Sequence, residues 1–210
     1  GDIHMLWLKD DDIASMMQQK IPLEKLPTDV ITNMAKCPKS QLEAAHGVPL
    51  NGTAVLYWRS QYALVYNSAK VSKPPTSWKE FYDRRAEWKG HIGWVRPDAK
   101  SGGGRNQFYA FLTAFGVDFS KSFAEVQASD AWKSAWDKFK DFQTYAFHPI
   151  AAEPPVMFDQ MKSEDVWLAV YALDYTLWSR DQGNLPPTMK ASYFSDGLPA
   201  GSDMYFAVPA

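Results

Sequence analysis

The sequence predicts an α/β fold, because short apolar runs of strand length alternate along the chain with stretches of helical periodicity. Two segments carry most of that reading. Val166-Trp167-Leu168-Ala169-Val170 is an unbroken apolar run, suited to a strand covered on both faces. The stretch 128–143 places Trp132, Trp136, Phe139 and Phe142 on one predicted buried stripe, with Lys133, Lys138, Lys140 and Asp141 turned to water. No internal repeat or low-complexity tract competes with this reading.

Taken in order, Asp2-Ile3-His4-Met5-Leu6-Trp7-Leu8 reads as a strand already inside a domain, so further residues are expected upstream. Asp10-Asp11-Asp12 then open an amphipathic helix with Ile13, Met16 and Met17, where acids complement the positive end of the helix dipole. A calcium loop is the alternative for these acids, but its spacing and terminal Glu are missing. Residues 20–50 read as a connection with one short helix near 28–35. Ala63-Leu64-Val65-Tyr66-Asn67 is a short strand, and Pro74-Pro75 break the chain after it. Ser77 and Glu80 form a capping box ahead of a helix carrying Trp78, Phe81 and Tyr82.

Gly90 to Val95 read as another strand, ended by Arg96-Pro97. The glycines of Ser101-Gly102-Gly103-Gly104 then open a helix with Phe108, Phe111, Leu112 and Phe115 on its apolar face, stopped at Gly116. Pro154-Pro155 suit the first turn of a helix holding Met157, Phe158 and Met161. A helix over 173–181, a turn at Gly183–Pro187, a strand over 188–194 and a last strand at Met204–Val208 complete the order.

The bulk numbers exclude several functions. With 22 basic residues against 24 acidic ones and no basic run, the chain lacks the positive footprint of a nucleic-acid binder. No apolar run reaches the roughly 18 residues of a membrane span, and no signal peptide is visible. The single Cys37 cannot form an internal disulfide or a thiol pair for a metal. The surplus is aromatic: 9 Trp, 10 Tyr and 12 Phe, most of which must fill core while some suit a cleft that stacks on a small organic ligand.

Catalytic patterns are missing. There is no G-x-S-x-G elbow, and His4, His46, His91 and His148 are scattered without metal-ligand spacing. No metal, cofactor or catalytic residue is assigned. Three clusters have binding chemistry. The turn Ser101, Gly102, Gly103, Gly104 offers free amides at a helix start, though it lacks the spacing of a nucleotide-binding loop and serves equally as a plain helix-opening turn. Tyr57-Trp58-Arg59-Ser60-Gln61 offers a stacking face, a cation and a two-way amide, or simple packing. Tyr171, Asp174, Tyr175 and Trp178 follow an apolar strand, where open α/β sheets bind ligands, and a carboxylate beside aromatics suits an organic cation; a core stripe with a helix cap explains them as well.

The run Val65-Tyr66-Asn67-Ser68-Ala69-Lys70-Val71 with Pro74-Pro75-Thr76-Ser77-Trp78-Lys79-Glu80-Phe81 resembles the first crossover of extracellular solute-binding proteins of ABC importers. Glu87-Trp88-Lys89-Gly90-His91-Ile92-Gly93, leading to Pro97 and a Gly-rich helix start, resembles the same family, in the branch of thiamine, polyamine and ferric-iron binders. The likeness covers most of the chain and is sharpest at 57–112.

The resemblance implies a type II periplasmic-binding-protein-like fold, with two α/β lobes joined by hinge strands, a ligand cleft at their interface and an incomplete first lobe. Residues 1–70 and 202–210 would form the partial first lobe and hinge, and residues 71–201 the second lobe. It implies ligand contacts at Trp58, Gln61, Ser101, Gly102, Gly103, Tyr171, Asp174 and Tyr175. The adjacent tyrosine pair of many iron binders is absent, so an amine-containing organic solute fits better. The implied partners are that solute and the permease subunits of the transporter; the implied location is periplasmic. The alternative within the same fold is the ligand-sensing domain of a transcription regulator, which needs a helix-turn-helix module upstream. A transferase or hydrolase would need a nucleophile–base pair that the sequence does not show.

Overall fold

The computed structural model describes residues 3–27, 31–45, 47–98, 102–198 and 200–210. The chain divides into two compact units: unit 1 holds Gly1–Ser60 and Gly201–Ala210, and unit 2 holds Gln61–Ala200.

Unit 1 begins with β1 (Leu6–Lys9), which runs antiparallel to the last strand, β7 (Ala200–Ala207), pairing Leu6 with Ala207 and Lys9 with Met204. The opening strand is thus shorter than the run from Asp2 predicts: Ile3 and Met5 stay outside it and exposed, and Asp2 lies outside the described residues. The acids behave as expected. Asp10, Asp11 and Asp12 occupy the first turn of α1 (Asp10–Gln18), and Asp12 accepts the Lys9 amide at 3.4 Å. Of the helix predicted near 28–35, residues 28–30 lie outside the described residues; a 3-10 turn covers Thr32–Lys36 and α2 follows at Lys39–Glu43. β2 (Ala44–Ala45) and β3 (Val48–Pro49) form a small hairpin.

Ile13, Leu50, Tyr205 and Ala207 make this unit's apolar core. A polar network borders it. Arg59 donates to both carboxylate oxygens of Asp203, at 2.6 and 2.7 Å, and the Tyr205 hydroxyl donates to the Gln41 carbonyl at 2.9 Å. Burial, with the charges of Asp203 and Asp10 behind it, pushes the Tyr205 phenol up to about 12.

β4 (Ala54–Asn67) enters unit 2 at Gln61 and is far longer than the predicted 63–67. Its first half carries exposed Tyr57 and Trp58 without a clean apolar alternation, so only the buried Ala63-Leu64-Val65 portion announced itself in the sequence. β4 pairs antiparallel with β5 (Leu168–Ala172), Tyr62 opposite Ala172 and Tyr66 opposite Leu168, and with β6 (Met189–Ser192), Leu64 opposite Ser192. β5 is buried from Leu168 through Tyr171, as its apolar run requires.

Gly90–Val95 departs from its prediction. It makes only isolated parallel bridges, Ile92 with Ala146 and Leu168, and Val95 with Ala151. Gly93 permits that close passage, since a Cβ there would lie 2.6 Å from the Val166 side chain.

The helices surround these strands. Ser77 caps α3 (Trp78–Asp83) by accepting the Glu80 amide at 3.0 Å, which is half of the predicted capping box; the Glu80 carboxylate accepts from the Thr76 amide and hydroxyl rather than from the Ser77 amide. Several residues of the motif that carried the family resemblance have structural roles. Buried Asn67 donates to Glu164 at 3.1 Å and accepts from the Ala69 amide and the Thr188 hydroxyl; the Trp78 amide donates to Asp196; Val71 and Trp78 are core. α4 (Gly102–Ala114) buries Phe111 and Leu112, and its end is followed by Gly116 at φ 94°, the left-handed region glycine favours.

The helix predicted over 128–143 is α6 (Asp130–Gln143), which starts two residues later because Ser129 leaves helical geometry and caps it by accepting the Trp132 amide; a short helix that was not predicted, α5 (Phe123–Ala128), precedes it. The stripe of α6 is also corrected: Ala135, Phe139 and Phe142 are buried, whereas Trp136 is 37% exposed and lies parallel to half-buried Trp132 at 6.0 Å. α7 (Pro154–Lys162) starts on its two prolines, and α8 (Leu173–Asp181) follows β5 with no loop between them.

Candidate functional site

Four elements of unit 2 meet where β5 ends. β5 delivers Tyr171 and passes straight into α8, whose second residue is Asp174; β4 delivers Tyr62; α4 delivers Asn106. The Tyr62 and Tyr171 rings meet edge to face at 5.8 Å, and the Asn106 amide donates to the Tyr62 hydroxyl at 3.4 Å.

α4 is held tightly in place for this. The Gln107 side chain, fully buried, accepts the Val95 amide at 3.1 Å and donates to the Val170 carbonyl, tying the helix to the 90–95 segment and to β5. Gly104 brings it close to Val95 and Arg96, a contact no larger residue fits.

The electrostatics follow from burial. Burial raises the Tyr62 phenol above its ordinary value, the Asn106 hydrogen bond lowers it, and the Asp174 charge raises it again. The Tyr171 phenol is raised by burial first and then by Tyr62, Tyr175 and Asp174. Both phenols therefore stay neutral at physiological pH and keep a proton to donate. Aromatic faces, a carboxylate, an amide and two phenols at the carboxyl end of a strand give the corner the composition of a small-molecule pocket.

Of the residues the sequence singled out, Tyr171, Asp174 and Tyr175 stand together here; Tyr175 packs on Phe158 at 4.9 Å, which in turn meets Tyr171 at 5.5 Å. Gly102 opens α4 and Gly103 is buried within it. Ser101 lies outside the described residues. Gln61 is exposed and donates to the Tyr62 carbonyl at 3.1 Å, while Trp58, 41% exposed, belongs to unit 1. Tyr62 and Asn106, which stand beside Tyr171 in the structure, were not singled out in the sequence. Tyr62 directly follows the Tyr57–Gln61 cluster, and Asn106 lies two residues past the glycines; each position was visible, but not its role.

The family of bacterial extracellular solute-binding proteins matches residues 1–200, and the chain belongs to it. No curated protein matches it in sequence. Among solved structures it is similar to the spermidine/putrescine ABC transporter substrate-binding protein PotD of Streptococcus pneumoniae, at 15% identity and a TM-score of 0.75 over 100% of this chain and 58% of that one. It is similar to UgpB of Mycobacterium tuberculosis, solved with glycerophosphocholine, at 18% identity and 0.73 over 100% and 58%. Iron-bound HitA of Pseudomonas aeruginosa matches at 16% identity and 0.62 over 99% and 59%. The fold is therefore the mixed α/β fold of periplasmic-binding proteins, and the chain spans a little under three fifths of these structures' length.

Proposed function

We propose that the chain is the substrate-binding part of an ABC importer, that it captures an amine-containing organic solute at the corner of Tyr62, Asn106, Tyr171 and Asp174, and that it performs no chemical step. Family membership supports the transport reading. The observation that carries the solute class is the Asp174 carboxylate on the first turn of α8, close enough to Tyr62 and Tyr171 to act on both phenols.

An ammonium group is matched there by a negative charge and by aromatic faces, two attractions that strengthen as water is excluded. The phenols and the Asn106 amide supply donors and acceptors that fix orientation. Trp58, Gln61 and the glycines Gly102 and Gly103, with Ser101, are proposed as further contacts. Residues 71–201 are proposed as the second lobe, and residues 1–70 with 202–210 as part of the first lobe and hinge. Binding then works by population shift: the solute favours whichever arrangement lets it touch more of the protein, and that form is presented to permease subunits at the outer face of the membrane.

A fluorescence titration tests the solute class. A diamine should quench or shift the emission saturably, and Asp174→Asn should weaken it about tenfold or more. A carboxylate of matched size binding as well as the diamine contradicts the reading.

A further inference from the structure

A second site stands in unit 2, in the groove between α7 and α8. Phe158, Asp159 and Lys162 of α7 and Tyr175 and Trp178 of α8 line a half-open pocket of about 190 Å³, with Asn184 also in its lining. The spacing explains the lining: positions three and four apart fall on one helix face, so each helix turns a single row into the groove.

Tyr175 and Trp178 are 41% and 54% exposed, and their rings lie within 20° of parallel at 5.9 Å. Phe158 supports Tyr175 from beneath at 4.9 Å. The exposed Asp159 and Lys162 make no side-chain hydrogen bond or ion pair among the described residues.

We propose that this groove is a binding subsite for a neutral, polyhydroxylated six-membered ring, a pyranose. Charge selects against the alternatives. An organic cation drawn to the aromatic shelf meets the Lys162 ammonium, and an anion drawn to Lys162 meets the Asp159 carboxylate. A ring of hydroxyl groups satisfies both at once, donating to Asp159, accepting from Lys162 and doing either with Asn184. Its apolar C–H face lies on Trp178 and Tyr175, the geometry in which an aromatic plane buries area without a polar partner. The volume is below the roughly 300–1,000 Å³ of a whole ligand site, so the groove holds one ring with modest affinity.

The inference does not rest on amine capture at Asp174, and the test separates them. Methyl α-D-glucopyranoside is titrated against the full chain by tryptophan fluorescence and saturation-transfer NMR, with choline and acetate as the charged comparisons. The expected result is saturable binding in the millimolar range by the glucopyranoside alone. Trp178→Ala should weaken it about tenfold, Asp159→Ala should weaken it several-fold, and Asp174→Asn should leave it unchanged; circular dichroism checks that each variant is folded. Absence of saturable binding, choline or acetate binding as tightly, or a folded Trp178→Ala protein that binds unchanged would each overturn the proposal. So would equal loss in Asp174→Asn, which would place the sugar at the other site.

Discussion

Gly104 sits so close to the chain at Arg96 that a Cβ there would lie 2.5 Å from the Val95 carbonyl oxygen and closer still to that of Arg96. Both obstacles are backbone, which cannot rotate away. Gly104→Ala must therefore push α4 off the 93–96 segment, and α4 carries Asn106 and Gln107. The expected cost is about 1–3 kcal/mol, read as a fall in Tm of roughly 3–10 °C. An unchanged Tm would show that α4 has slack at its start.

Asn67 is 1% exposed and its amide joins Glu164, Ala69 and Thr188. Removing it leaves the Ala69 amide and the Thr188 hydroxyl without their acceptor and empties the buried space the Asn67 side chain fills. Asn67→Ala should cost about 2–3 kcal/mol, measured by urea unfolding, with the slope unchanged.

Glu80 accepts from the Thr76 amide and hydroxyl, both at 2.8 Å, and from Arg84 at 2.6 Å, and these bonds hold its carboxyl below the usual value in the order Thr76 then Arg84. The sign follows directly. A carboxyl whose folded pKa is lowered stabilises the fold above its unfolded value of about 4.3, and that contribution is lost as the pH falls through the folded value. Wild type should therefore be more stable than Glu80→Gln at pH 7, with the Tm difference shrinking toward zero in strong acid. A difference that stays constant with pH would contradict the carboxylate's role.

These sites also show what the sequence could disclose. The cap of α3 was legible because Ser77 and Glu80 lie within one turn of each other and their bond depends on nothing distant. The same holds for the acids of α1 and for the glycine after α4. The full length of β4 was hidden, since exposed Tyr57 and Trp58 owe their strand geometry to neighbours far along the chain. Gly90–Val95 looked like a strand by composition but makes only scattered bridges, and the short helix α5 ahead of Ser129 went unread beside the stronger periodicity of α6. The site shows the same divide. Tyr171, Asp174 and Tyr175 could be grouped from the sequence because they follow one another beyond an apolar run. Tyr62 and Asn106 join them only through pairing of β4 with β5 and packing of α4, which no local pattern records.

The hydroxyl that Asn106 reaches gives a further discriminating variant. Tyr62→Phe keeps the edge-to-face contact with Tyr171 and removes only the phenol oxygen. It should leave Tm within about 2 °C, because the 3.4 Å hydrogen bond is long, yet weaken solute binding several-fold. A variant that unfolds, or one that binds as wild type does, removes Tyr62 from the site.

The most direct measurement is thermal unfolding across a panel of diamines, quaternary amines, amino acids, sugars, small anions and metal ions, with wild type and Asp174→Asn side by side. A ligand specific to the folded chain at 100 times its dissociation constant adds about 2.7 kcal/mol, a rise of roughly 5–10 °C for a chain of this size. The account predicts such a rise with an amine and its loss in Asp174→Asn. A rise with an anion or a metal ion instead, retained in Asp174→Asn, would contradict it.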